Sequence, residues 1–181
     1  EDALRGFALL FDFTRFFLVF TLTAVVGVMY NRWWAMRILT GIVMGRTMDT
    51  AMMVATYIQG DGTESLQCDL IRYLNLANIL VCTQARAKHA QQPLFTLHEL
   101  DSMGLITAEE RDALEMQEGV VSLHQVAYMW FSQLWLETVN AGLVSRQVVV
   151  ATHRAVQENV TAMRGAGGDV FMYQNTPPPI G

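Results

Sequence analysis

The sequence predicts an all-α protein in which a membrane helix is followed by a cytosolic helical bundle. Of the 181 residues, 52% are hydrophobic and only 16% are charged, whereas a typical soluble domain is about 25% charged. Apolar residues also recur at helical spacing along most of the chain, which favours amphipathic helices. The excess of apolar residues must therefore face lipid, a partner chain or a large core.

The membrane helix is predicted within residues 1–34. Residues 16–31 carry no charge and are nearly all apolar, and at 1.5 Å per residue they span about 24 Å. The hydrocarbon core of a bilayer is about 30 Å thick, so residues 11–15 are needed to complete the span. The Arg-Trp-Trp sequence at 32–34 combines a cation with two indoles, which is typical of a cytosolic membrane interface. The alternative is a buried helix of a soluble bundle.

The remaining sequence predicts a cytosolic helical region over residues 35–168. The glycine-containing stretch 59–63 predicts a simple turn, and the glycines within 165–168 predict the end of the last helix. Thr107 and Glu110 have the spacing of a capping box, which predicts that a helix begins there. The predicted helices after the membrane segment span residues 35–58, 66–88, 97–103, 107–118, 121–141 and 143–164.

The residues that usually carry catalysis or metal binding form no recognisable motif. None of the four histidines lies four residues from another, and the sequence contains no His-Glu-x-x-His, Gly-x-Ser-x-Gly or phosphate-loop motif. Cys68 and Cys82 fit neither a disulfide framework nor a zinc pattern, and both are expected to be small residues between packed helices. The net charge of −5 argues against nucleic-acid binding. We therefore expect no enzyme, no metal site and no readable cofactor.

One stripe of the predicted membrane helix carries two large aromatic residues followed by small ones. At 100° per residue, this stripe contains Phe16, Phe20, Thr23, Ala24 and Gly27. Small residues let helix backbones approach each other, so the spacing alone favours ordinary helix packing. The alternative is a ring of such helices around a pore, in which the phenyl groups form an apolar constriction.

Five segments resemble, in order and spacing, the bestrophin family of anion channels. The resemblance covers roughly residues 16–179, and the five motifs together are specific although each alone is weak. The matching segments are residues 16–34, which resemble the family's second membrane helix ending in Arg-Trp-Trp; 69–78, its Leu-Ile-Arg-Tyr-x-Asn-Leu stretch; 103–110, its Gly-Phe/Leu-x-Thr-x-x-Glu region; Trp130-Phe131, its Trp-x-Trp-Phe helix; and Met172-Tyr173 with Pro179, its Tyr-Asp-Trp-x-x-x-Pro junction.

The resemblance implies a homopentamer in a lipid bilayer, with one axial pore for an anion such as chloride or bicarbonate. The family's three hydrophobic neck positions, counted back from Arg-Trp-Trp, fall on Phe16, Phe20 and Ala24. Thr23 and Gly27 would lie on the same pore-facing stripe, so the resemblance favours the pore over ordinary packing. Ala24 stands where the family has a bulky aromatic residue, which implies a looser or shorter neck.

The resemblance also implies a cytosolic constriction early in the last helix, at Val150 or Ala151, with Val148 as an alternative. Residues 169–181 would form the junction toward the next membrane segment, although Gln174-Asn175 stands where the family has Asp-Trp. The family's calcium-binding acidic cluster lies beyond its later membrane helices. Any calcium site of the full-length protein is therefore expected outside this chain, whose two ends are expected to continue into a longer protein.

Two other functions are compatible with the sequence. One is a membrane-anchored helical scaffold that conducts no ions. The other is a channel module fused to and controlled by another domain, such as a rhodopsin. In each case the chain is expected to be an integral membrane protein, and Arg32, Arg72 and Arg164 are expected to be structural residues that pair with carboxylates or helix ends.

Overall fold

The computed structural model describes residues 2–90, 93–119 and 122–175. Within these residues the only strand-like pairing is an isolated bridge between Ile58 and Val144. The all-α prediction is therefore confirmed. The helices are α1 (Asp2–Tyr57), α2 (Glu64–Ala90), α3 (Leu97–Ser102), α4 (Ala108–Gln117), α5 (Leu123–Asn140) and α6 (Val149–Asn175).

The first helix is much longer than the others. α1 has 56 residues, which corresponds to about 84 Å at the usual helical rise. No proline occurs before Pro93, so nothing in the sequence removes a backbone donor from this helix. The predicted membrane helix at 1–34 and the predicted helix at 35–58 are therefore one continuous element.

The hydrophobic core lies in the bundle formed by α2–α6 with the C-terminal half of α1, and not along the N-terminal half of α1. The C-terminal half of α1 packs against α6, and α2 packs against α5. The large side chains at the centre of the core, all with less than 2% of their surface exposed, include Leu70, Leu74, Phe131, Trp135 and Met163. The aromatic-rich segment predicted at 121–141 is thus a core helix, since α5 buries Phe131 and Trp135.

The connection between α1 and α2 is a tight turn at residues 59–63. Gly60 and Gly62 have φ angles of 127° and 78°, in the left-handed region that favours glycine. The Gln59 N–H donates to the Leu143 carbonyl at 2.8 Å, so this turn is attached to the segment that leads into α6. The predicted turn is confirmed.

Reciprocal side-chain bonds begin two of the short helices. At α4, the Glu110 N–H donates to Thr107 Oγ1 at 3.2 Å, and the Thr107 N–H donates to Glu110 Oε2 at 2.9 Å. The capping box predicted here is confirmed. A second box, formed by Thr96 and Glu99 at the start of α3, was not predicted, although it has the same Thr-x-x-Glu spacing.

The last helix differs from its prediction at both ends. α6 begins at Val149 and not at residue 143, and it runs through the glycines of 165–168 to Asn175, so the predicted helix end there is wrong. A Cβ at position 167 would lie 3.2 Å from Val81 Cγ2 and 3.5 Å from His124 Nε2. Gly167 therefore allows close packing of α6 on α2 and α5 and does not end the helix. Residues 176–181 of the predicted junction lie outside the described residues.

Candidate functional site

The N-terminal half of α1 leaves an apolar surface uncovered. Phe16 is 71% exposed and Phe20 is 63% exposed, while Thr23 and Ala24 are exposed and Gly27 is half-buried. Among the described residues, α1 is the one helix long and apolar enough to cross a membrane, with an 18-residue window of mean hydropathy 1.9 that is 0% buried. The predicted stripe is thus not packed against another part of the described chain.

The C-terminal half of α1 has two distinct faces. Val43 and Val54 are buried in the bundle, while Met44 and Met48 on the other side are largely exposed. At 100° per residue, Val43 lies roughly 180° around the helix from Phe16, whereas Met48 lies only about 40° from it. The face that packs on the bundle is therefore opposite to the apolar stripe, so the core packing directs that stripe away from the bundle.

Polar contacts join α6 to α1, and the two helices are antiparallel because Ile58 at the end of α1 pairs with Val144 just before α6. Arg46 Nη1 donates to Asn159 Oδ1 at 3.0 Å, and the Thr47 hydroxyl lies 3.2 Å from the sulfur of Met163. Asn78 of α2 donates to the same hydroxyl at 2.9 Å. Because Thr47 and Asn159 are buried, these bonds are shielded from water and hold the two helices in one register.

The predicted cytosolic constriction lies at the start of α6. Val150 is 81% exposed and Ala151 is also exposed, while Val148 is half-buried just before the helix. The Arg46–Asn159 pair sets the register of the two helices, so Val150 lies near the C-terminal end of α1. Along the helix axis this is about 50 Å from Phe20, at 1.5 Å per residue. The structure therefore places the two predicted constrictions far apart.

A charged cluster joins α2 to α4. Arg72 donates to both carboxylate oxygens of Glu110, at 2.7 and 3.0 Å, and to the Leu105 carbonyl at 3.0 Å. The Tyr73 hydroxyl donates to Glu110 Oε1 at 2.6 Å. The prediction that Arg72 is structural is confirmed, because its guanidinium pairs with a carboxylate and with a backbone carbonyl. Neither Arg32 nor Arg164 has an ion-pair partner within the described part of the chain.

These contacts shift the pKa values of the cluster in opposite directions. Burial alone would raise the pKa of Glu110, but the bonds from Arg72 and Tyr73 outweigh it and lower that pKa below its usual value. The hydrogen bond with Glu110 raises the pKa of Arg72. Burial, together with the bond to Glu110, raises the pKa of Tyr73 to about 12. The carboxylate therefore stays charged at neutral pH and fixes the start of α4 on α2.

One histidine is fully buried where α2, α5 and α6 meet. His124 has no exposed surface, and its Nδ1 lies 3.3 Å from Gln84 Oε1. Its Nε2 has no hydrogen-bond partner among the described residues. Burial, with a smaller contribution from the positive charge of Arg164, lowers the pKa of His124 to about 4. The ring is therefore neutral near pH 7 and acts as a core residue, which the sequence did not predict.

The described residues bring together no metal site. They contain no group of three or more His, Cys, Asp and Glu side chains that could hold a metal ion. Cys68 and Cys82 are exposed free thiols on α2, so the expectation that they pack between helices is wrong. A helix surface was equally compatible with their sequence, since each is a single small residue in an amphipathic helix.

Comparison with known proteins gives results that agree with the resemblance. A family model described as "Bestrophin, RFP-TM, chloride channel" matches residues 10–181. The chain is also similar to Bestrophin homolog 22 of Caenorhabditis elegans, with 27% identity over 165 residues, which is 90% of this chain. The match spans 32% of the length of that relative.

Proposed function

This chain belongs to the bestrophin family, and we propose that it is a subunit of a homopentameric anion channel with one axial pore in a lipid bilayer. The observation that carries the proposal is the uncovered apolar stripe of α1, which lies opposite to the face that packs on the bundle. Five copies arranged around an axis would turn these stripes toward that axis and surround a pore. The description of the family as a chloride channel supports chloride or a similar anion, such as bicarbonate, as the permeant ion.

We propose that Phe16, Phe20 and Ala24 form the neck of this pore. Five-fold rings of Phe16 and Phe20 would make an apolar constriction that opens and closes as water enters or leaves it. The edge of a phenyl ring carries partial positive charge, so inward-pointing edges attract an anion weakly. Without strong polar ligands in the neck, anions that lose their water easily would pass best.

The residues after Phe20 would make the neck wider toward the cytosol. Ala24 is one turn closer than Phe20 to the interfacial Arg-Trp-Trp at 32–34, and its methyl group fills much less space than a phenyl ring. Thr23 and Gly27 are also small and lie on the same stripe. The narrow part of the proposed neck is therefore two aromatic rings long.

A second constriction is proposed at Val150 and Ala151, about 50 Å from Phe20 along the helix axis. Val150 is a branched apolar side chain that remains 81% exposed on a well-packed helix. A ring of five such side chains would narrow the cytosolic mouth. The space between the two constrictions would be a long vestibule, which can hold hydrated anions.

The number of subunits provides the first test of the proposal. The mass of the full-length protein in detergent would be measured by light scattering, with the detergent contribution subtracted. A pentamer is the expected result. A monomer or a dimer would contradict the axial pore and would favour the non-conducting scaffold.

The second test is a pair of matched substitutions on opposite sides of α1. Phe20→Ala should enlarge the neck and increase the anion current at conditions where the unsubstituted channel is mostly closed. Leu22 is similarly exposed but lies about 160° around the helix from Phe20, so Leu22→Ala should leave the pore properties unchanged. Equal effects of the two substitutions, or no effect of Phe20→Ala, would remove Phe20 from the neck.

A further inference from the structure

We propose that Arg154 lines the cytosolic mouth of the pore, where its positive charge attracts anions to the constriction at Val150 and Ala151 and raises the anion current. This inference rests on the proposed function. It adds to that function a charged group, which the apolar neck does not provide.

Arg154 lies on the same exposed face of α6 as Val150. The two residues are four apart, which is about 40° around the helix and one turn along it. The Arg154 side chain is 81% exposed, and that of its neighbour Glu158 is 65% exposed. An uncovered valine and an uncovered arginine thus follow each other on one surface.

The packing of α6 fixes this direction. The opposite face of the helix is buried through Thr152, Val156 and Met163, and Asn159 on that face is bonded to Arg46 of α1. A rotation of α6 that moved Arg154 away from this surface would bring charged groups into the core. Arg154 must therefore share whatever space Val150 faces.

The arrangement of charges makes the constriction more positive than the region beyond it. Arg154 Nε lies 2.8 Å from Glu158 Oε1, and the backbone of Glu158 is four residues, about 6 Å, farther from Val150 along the helix, so the positive end of this ion pair faces Val150. An anion at the constriction therefore meets the cation first. Asp169, farther along the helix, is about 22 Å from Arg154, which exceeds twice the Debye length of about 8 Å at physiological salt.

His153, beside Arg154, is directed away from this face. Its Nδ1 accepts a hydrogen bond from the indole N–H of Trp135 at 3.1 Å. The bond turns the ring toward α5. Arg154 is thus the first residue of α6 with a permanent positive charge.

The test uses Arg154→Gln and Arg154→Lys, with Glu158→Gln as the matched control, in the full-length channel reconstituted in planar bilayers. Single-channel current would be recorded in symmetric chloride at about 30 mM and at about 500 mM, because charge effects are screened by salt. At low salt, Arg154→Gln should lower by about two-fold the current carried by chloride leaving from the cytosolic side, and Glu158→Gln should raise it. Arg154→Lys should resemble the unsubstituted channel, and all differences should shrink at high salt.

A purely structural role for Arg154 predicts a different pattern. Arg154→Gln and Glu158→Gln break the same ion pair, so they would then change the current in the same direction or leave it unchanged at both salt concentrations. That result would overturn the inference. If Phe20→Ala still increased the current, the proposed channel function would stand without the role of Arg154. If the unsubstituted protein passed no anions, the channel function and the role of Arg154 would both be refuted.

Discussion

A large loss of stability is expected when the carboxylate that joins α2 to α4 is neutralised. Glu110→Gln replaces a charged acceptor of two Arg72 bonds and one Tyr73 bond by a neutral amide. Hydrogen bonds to charged groups contribute about 1.5–3 kcal/mol each, but the Arg72 side chain is 19% exposed and can recover some hydration. We therefore expect the free energy of unfolding to fall by about 2–3 kcal/mol, the size of one or two such bonds.

The assay is chemical unfolding of the full-length protein in detergent, followed by tryptophan fluorescence. Trp130 lies 5.8 Å from Tyr73 between ring centroids, so its emission reports on this region. Arg72→Met and the double substitution complete a double-mutant cycle, in which an interaction energy above about 1 kcal/mol is expected for residues in direct contact. The control is Arg154→Gln, whose exposed ion pair should leave the unfolding midpoint unchanged. If the losses of unfolding free energy caused by Glu110→Gln and Arg72→Met simply added in the double variant, the energetic coupling of the two side chains would be refuted.

Three further predictions follow from residues described above. The pKa of His124 is lowered from 6.5 to about 4 in the folded protein, so the unfolded chain binds the proton more tightly. The free energy of unfolding should therefore fall by about 3 kcal/mol as the pH is lowered from 6.5 to 4, and His124→Phe should remove this part of its pH dependence. Gly167→Val should destabilise the protein by about 1–3 kcal/mol because its side chain meets Val81, whereas Gly165→Ala has open space and should raise the melting temperature. Ala24→Phe should add a third aromatic ring and reduce the anion current, and an increased current would contradict the proposed neck.

Local patterns predicted most of the helices because their signals are contained in a few neighbouring residues. The Thr107–Glu110 capping box and the turn at 59–63 needed no knowledge of the rest of the chain. The end of α6 could not be predicted in the same way. Gly167 has the local signature of a helix end, but its role depends on Val81 and His124, which are distant in sequence and adjacent in space.

The candidate site was predictable only in part for a similar reason. Helical spacing grouped Phe16, Phe20 and Ala24 on one stripe, but spacing alone also fitted packing between helices. The structure shows that no described part of this chain covers the stripe, and its pore-lining role stays a prediction because it involves other subunits. Arg154 could have been found from the sequence by extending the face of Val150 by one helical turn. The partner of Arg72 could not, since Glu110 is 38 residues away.

The uninterrupted length of α1 gives it the mechanics of a lever. Its fixed end is at Thr47, where α2 and α6 hold it, and Phe16 lies about 46 Å farther along the same rod. A tilt of only 5° at the fixed end would move Phe16 sideways by about 4 Å at this rise per residue, close to the thickness of an aromatic ring. Small rearrangements among the buried side chains of the bundle would therefore be magnified into a sideways displacement of Phe16 at the far end of the helix.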